Sequence, residues 1–281
     1  MNRFGAGSEY KLFHMDPSAA IGIALLAVLY TLAARQLKRR PTQRQVFFFC
    51  LLILAMLITF GPLDELGDAR SFWAHMLEHS FQSWIIPPLF LLSMPDWMLR
   101  PILMSRPIRP LARFFSNPVV AFVTFTVVYV FAHDPPIFNL MTTNENVHIA
   151  THVLFMVSGT ILFWPLLSPM AEFPRLSYPA QILYLFLLMV PMTAVAAPIT
   201  LAQSVTYAWY AAAPHPFGIS PLQDQVIGGI LMWVADSFYL MLITTLIFFR
   251  WARDEEIEVP AVNLRRPPEL RVLRPTRNAR A

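Results

Sequence analysis

SFWAHMLEHSFQSWIIPPLFLLSMP, residues 71–95, decides how the rest of the chain is read. It is long and apolar enough to cross a bilayer, which takes roughly 20 residues of helix, yet His75, Glu78 and His79 stand in its first turns. Residues three and four apart share a helix face, so these side chains form one stripe. An ionisable group at mid-membrane costs roughly 2.5–3.5 kcal/mol on insertion scales and faces a partner or a wet cavity rather than lipid. The stretch therefore reads as a membrane helix turned inward on a polar site.

Composition agrees with a membrane setting. Of 281 residues 56% are hydrophobic and only 14% charged, well below the roughly 25% charge of a soluble domain. The single cysteine, Cys50, excludes an internal disulfide and any CxxC thiolate site. There is no internal repeat and no separate soluble domain.

Working outward, apolar runs fall at 17–34, 45–60, 72–94, 118–132, 147–167, 180–201 and 225–249. The second and fourth are short for a bilayer and need their flanks. The expected fold is all-α, a polytopic seven-helix transmembrane bundle over 17–249, with an outer N-terminal segment, 1–16, and a cytoplasmic, Pro-rich and disordered tail, 250–281. Positive charge follows the first run instead of preceding it, so that run reads as a retained anchor and not a cleaved signal. With the N-terminus outside, all but three of the 21 lysines and arginines lie on the cytoplasmic side, the exceptions being Arg3, Lys11 and Arg70. The basic pI of about 9.5 is thus a topology signal, and no nucleic-acid partner is needed to explain it. Residues 95–118, with four arginines among apolar anchors, read either as a segment lying on the headgroups or as a solvated loop.

In this topology all seven histidines fall on the outer side. Two pairs repeat one spacing, His75 with His79 and His148 with His152, where random placement gives about 0.2 such pairs. A pair at i and i+4 sets two imidazoles side by side, as metal sites do. Taken singly, His14, His133 and His215 read as packing residues. Carboxylates gather on the same side: Asp64, Glu65 and Asp68 in the loop before the histidine span, Asp134 and Glu145 around the next outer loop, Asp224 at the start of the seventh span. Asp236 lies deeper in that span, on a face with Met232 and Gly229. The metal ligands expected are His75, His79, His152 and His148, with Asp64, Glu78, Asp224 and Asp236 orienting them. Imidazole with nearby thioether, from Met76, Met141, Met156 and Met232, points to copper, with zinc or haem left open. HMLEH is not the HExxH of a zincin, and no phosphate loop or nucleophile elbow is present. An enzyme is the weaker reading.

FGPLDELGDARSFWAHMLEHSFQSWIIPPLFLLSMP, HVLFMVSGTILFWPLL, PRLSYPAQILYLFLLMVP and SPLQDQVIGGILMWVADSFYL, in that order, resemble the CtaG-type, multi-spanning cytochrome c oxidase assembly factors named for caa-type oxidases. The resemblance implies a bacterial cell membrane protein that helps mature a terminal oxidase by supplying copper, with oxidase subunits, the lipid bilayer and an outer copper chaperone as partners. Its pattern marks Asp64, His75, His79, Pro88, His152, Asp224, Gln225, Gly228, Gly229 and Trp233. His148 rests on spacing alone. Gly228 and Gly229 are expected to let the seventh helix approach a neighbour, and Pro87 and Pro88 to kink the third. A haem-binding cytochrome and a structural partner that binds no metal are the alternatives.

Overall fold

The computed structural model describes residues 15–68, 71–212 and 217–258. Among them every regular element is helical. The chain runs through α1 (Pro17–Gln36), α2 (Gln43–Ile58), a π-helical turn (Thr59–Leu63) and α3 (Asp64–Asp68). It continues through α4 (Phe72–Ser80), a second π turn (Phe81–Ile85) and α5 (Ile86–Ser93), then α6 (Asp96–Leu103) and α7 (Arg109–Phe115). There follow α8 (Pro118–Ala132), α9 (Pro135–Thr143), α10 (Glu145–Leu167), α11 (Tyr178–Leu201), α12 (Ala208–Ala211) and α13 (Pro221–Ile230). A third π turn (Leu231–Ala235) joins α13 to α14 (Asp236–Glu258).

Local chemistry sets where the helices begin. Thr42 with Gln45 and Ser220 with Gln223 form reciprocal capping boxes at α2 and α13, satisfying first-turn amides that have no partner inside the helix. Asn117 and Asn144 accept from the opening amides of α8 and α10. Pro17, Pro118 and Pro221 occupy first helical positions, where a missing N–H costs nothing.

Five helices are long and apolar enough to cross a membrane, and six if α7 and α8, bent by 78° at their junction, count as one span. The second apolar run is longer than its sequence limits of 45–60. Helix persists from Gln43 to Gly67 over 25 residues, so Asp64 sits on a helix and not in a loop. Pro62 is accommodated because its turn is π-helical, which relieves the ring's clash with the carbonyl four residues back. The helical run 72–93 is not among the five or six. Its polar side chains, His75, Glu78, His79, Ser80, Gln82 and Ser83, dilute it, and all are buried. Pro87 and Pro88 lie in the first turn of α5, and the irregularity falls in the π turn just before them.

This run is the axis of the bundle. α2 and α10 pack along α5, while α13 and α3 pack along α4. α8 backs α10, and α11 backs α13 and α14. α1 lies outside, touching the rest through Tyr30, which stacks on Phe49 at 3.9 Å and donates to the Ser93 carbonyl at 3.2 Å. Close approach depends on small residues, as in membrane bundles generally. A Cβ on Gly228 would lie 2.5 Å from the Phe72 ring, and one on Gly229 would meet Thr200 backbone atoms at 3.0 Å. Gly159 of α10 is as tight against the axis: a Cβ there would fall 2.9 Å from the Ser83 carbonyl and 2.8 Å from Pro87. α7 carries Arg109 and Arg113 beside exposed Leu111 and Phe114, the make-up of a segment lying along headgroups.

Candidate metal centre

The first two turns of α4 carry His75, Glu78 and His79 on the face toward α10, where His148 and His152 meet them. Ring centroids are 4.3 Å apart for His75–His79, 5.4 Å for His79–His152, 5.9 Å for His75–His152 and 5.4 Å for His75–His148. His75, His79 and His152 are all buried. One nitrogen from each lies within 4.8 Å of the others, close enough for a shared ion with bonds of about 2 Å after small ring rotations. His152 also belongs to a second set with Asp64, Glu78 and His148, under the same 4.8 Å limit. Its Nδ1 stands 3.3 Å from Glu78 Oε1, and its Nε2 stands 2.9 Å from His148 Nε2. The two i, i+4 pairs thus face each other.

Buried polar atoms are nearly always hydrogen-bonded. Here His75 Nε2 and both ring nitrogens of His79 have no hydrogen-bond partner. A buried imidazole with both nitrogens bare is poorly explained as a packing residue, because its desolvation is left uncompensated. Glu78 is held by Gln82, whose Nε2 donates to Oε1 at 2.9 Å, and both belong to the same helical run. The α3 helix sits low over the site: a Cβ on Gly67 would be 3.2 Å from His75 Cβ.

His133, read from the sequence as a packing residue, lies against the same cluster. Its ring is 5.7 Å from His79. Its Nδ1 is 2.7 Å from the Tyr129 carbonyl, which fixes Nδ1 as the donor and leaves Nε2 the basic nitrogen. That Nε2 is buried without a partner. A carbonyl-oriented imidazole of this kind is the usual form of a metal-binding histidine. Its signal in the sequence, one histidine at a helix end, is too common to stand out.

An aromatic roof closes the histidine end of the bundle. Phe138 of α9 packs on Tyr207 at 4.0 Å, Phe72 lies 5.3 Å from both Tyr207 and Tyr210, and Phe138 is 5.6 Å from His75. Tyr207 is tied down by its hydroxyl, which donates to the His133 carbonyl at 2.9 Å.

The two acids of the last span act on helices. Asp224 accepts from the backbone amides of Phe72 at 2.6 Å and Trp73 at 3.0 Å, capping α4 at the end where the helix dipole is positive. Asp236 accepts from Ser80 Oγ at 3.0 Å and Trp84 Nε1 at 2.9 Å. Through these contacts both acids fix the depth and rotation of the histidine helix. The π turns on both sides make the second contact, since Trp84 lies inside one and Asp236 follows the other. Asp224→Ala is expected to lower stability by about 3 kcal/mol, the upper range for charge-assisted hydrogen bonds, with Asp224→Asn costing less. Thermal unfolding in detergent reads both.

Met76, Met141 and Met232 belong to the main apolar core and Met156 packs against a second one; Met76 is turned toward Gly228. His14, His215 and Arg70 lie outside the described residues, and the side chain of Asp68 is not among those described. The donor set is thus imidazole with carboxylate, which suits copper, zinc or iron.

Comparison with known proteins places this geometry in a lineage. The chain is 25% identical over 254 residues to uncharacterised proteins of Mycobacterium bovis and Mycobacterium tuberculosis, covering 82% of this chain and 38% of theirs. An uncharacterised protein of Mycobacterium leprae is 24% identical over 224 residues, covering 72% of this chain and 33% of its own. The chain therefore spans well under half the length of these relatives. No solved structure matches it significantly. The model of the cytochrome c oxidase caa3 assembly factor family, Caa3_CtaG, matches residues 28–254, and the chain belongs to that family.

Proposed function

We propose that the chain holds copper in this imidazole site and passes it to cytochrome c oxidase subunits during assembly, at the outer face of a bacterial cell membrane. The observation that carries the reading is the set of bare, buried nitrogens on His75, His79 and His133, converging from α4 and α8. His148 and Asp64 are only half-buried and form the outer approach. His152 belongs to both ligand sets and connects that approach to the deeper nitrogens. Glu78 and Asp64 supply negative charge against a bound cation where the surrounding dielectric is low. Copper is preferred over zinc because the family serves an oxidase whose centres contain it. A haem is disfavoured because the rings pack 4.3–5.9 Å apart, leaving no gap for a macrocycle. The role is delivery and not catalysis, with a copper chaperone outside as the donor.

The proposed topology adds 72–93 to the six candidate spans as the third in chain order, making seven spans, with the N-terminus outside and the C-terminus in the cytoplasm. A reporter fused to the C-terminus is then active only in its cytoplasmic form; activity on the outer side overturns the arrangement. For the function, a strain lacking the gene and grown at low copper is expected to lose most assembled oxidase activity while its subunits are still made, and added copper should restore part of it. Normal oxidase spectra in that strain would contradict delivery.

A further inference from the structure

The end of the bundle opposite the histidines holds a cavity of about 530 Å³ between α2, α5, α10, α11 and α14. Its wall is mainly apolar, with Leu92, Phe163 and Ile243 among the lining residues. Arg44 from α2, Arg175 from the segment before α11 and Arg250 from α14 also line it, and all three are exposed. Among the described residues no aspartate or glutamate lines this space. The acids nearby are engaged elsewhere: Asp254 accepts from the Tyr178 hydroxyl at 2.6 Å, and Glu172 pairs with Arg100. Arg175 Nε donates to the Ser168 carbonyl at 2.8 Å, which leaves its terminal nitrogens available. Partial burial, then Arg250 and Arg44, pull the Arg175 guanidinium below its ordinary range, so the three like charges are close enough to feel one another.

We propose that this cavity binds an anionic phospholipid, with the headgroup phosphate held by Arg44, Arg175 and Arg250 and an acyl chain lying in the apolar space behind them. Guanidinium forks match phosphate oxygens two at a time, and an anion removes the repulsion among three cations none of which is in an ion pair with a carboxylate among the described residues. Free phosphate meets the same arginines but leaves the apolar wall unused. The volume lies within the usual range for small-molecule sites, and basic pockets between membrane helices are known to take anionic lipid headgroups on the cytoplasmic side. Exposed arginines and an apolar wall share the one space, which is the division of a lipid molecule.

The test uses the full chain purified in detergent and exposed to phosphatidylglycerol, phosphatidylcholine or inorganic phosphate, with bound adducts counted by native mass spectrometry. Phosphatidylglycerol should bind at least tenfold more tightly than phosphatidylcholine, and inorganic phosphate should not displace it at millimolar concentration. The combined Arg44→Gln, Arg175→Gln and Arg250→Gln variant should bind both lipids equally, whereas Arg35→Gln, at the end of α1 and outside the cavity, should behave as wild type. Ile243→Trp, which fills the space and keeps all three charges, should weaken phosphatidylglycerol several-fold. Should the triple variant fail to fold, Arg250→Gln alone with Ile243→Trp carries the test. Equal binding of the two lipids by wild type, a preference that survives these substitutions, or displacement by inorganic phosphate overturns the proposal.

Discussion

Replacing His79 with leucine should reduce copper affinity by more than about a hundredfold, roughly 2.8 kcal/mol, while leaving the metal-free protein as stable as wild type or more so. The two halves of this expectation have separate causes. Loss of a residue that merely orients a ligand already costs 10–100-fold in metal affinity, and His79 offers its own nitrogens to the cluster. In the metal-free state those nitrogens are buried without partners, so an apolar side chain of similar size removes an uncompensated desolvation cost. A histidine kept for packing or hydrogen bonding gives the opposite pattern, lost stability with unchanged metal. His75→Leu should follow His79→Leu. His148→Ala, at the half-buried approach, should slow loading more than it lowers final occupancy. Because the ligands must be deprotonated, occupancy should also fall on acidification and return when pH is restored. Competitive titration against a chromogenic copper chelator, with thermal unfolding of the metal-free protein alongside, reads both halves.

The second large effect is expected from Gly159→Leu. Gly159 lies seven positions after His152 on α10, two turns along the same face, and there α10 lies tight against the axial run. A side chain there meets the Ser83 carbonyl and Pro87, neither of which is a flexible end that can swing aside. The helices have to separate, carrying His148 and His152 away from His75 and His79. Overpacking of this kind costs about 1–3 kcal/mol, and more where backbone is the obstacle. Metal retention should be lost at all concentrations tested even if the protein still inserts. Gly159→Ala should show an intermediate loss, and Gly22→Ala, with nothing within 4 Å of the added atom, should show none. Copper retained in full by an inserted Gly159→Leu protein would contradict the two-helix origin of the site.

These expectations show what the sequence could and could not carry. Helix identity, the inward histidine stripe and the pairing of His75 and His79 with His148 and His152 were legible because a 3.6-residue period puts i and i+4 on one face. Gly228 and Gly229 were legible as close-approach residues, and they meet Phe72 and Thr200. Gly159 was not, because one glycine in an apolar run has no local signature; only the approach of Ser83 and Pro87 gives it meaning. The π turns were equally hidden, as backbone hydrogen-bond pattern is decided by tertiary packing and, at two of them, by a proline at Pro62 or Pro87. Asp224 and Asp236 stand out in the sequence as acids near an apolar span, and both are buried, but which donor each meets depends on the rotation of α13 and α14. The aromatic roof and His133 come from elements far apart in the chain, and their convergence is a property of the fold alone.

The central claim is that the converging imidazoles hold copper. X-ray absorption at the copper edge, on protein purified from copper-replete membranes and quantified by elemental analysis, tests it most directly. The account predicts about one copper per chain, bound by nitrogen or oxygen neighbours with the outer-shell scattering of two or more imidazole rings and no sulfur at bonding distance, since the donors that converge at the site are imidazoles and carboxylates. Protein that carries no copper after loading, or copper bound through sulfur, would contradict it.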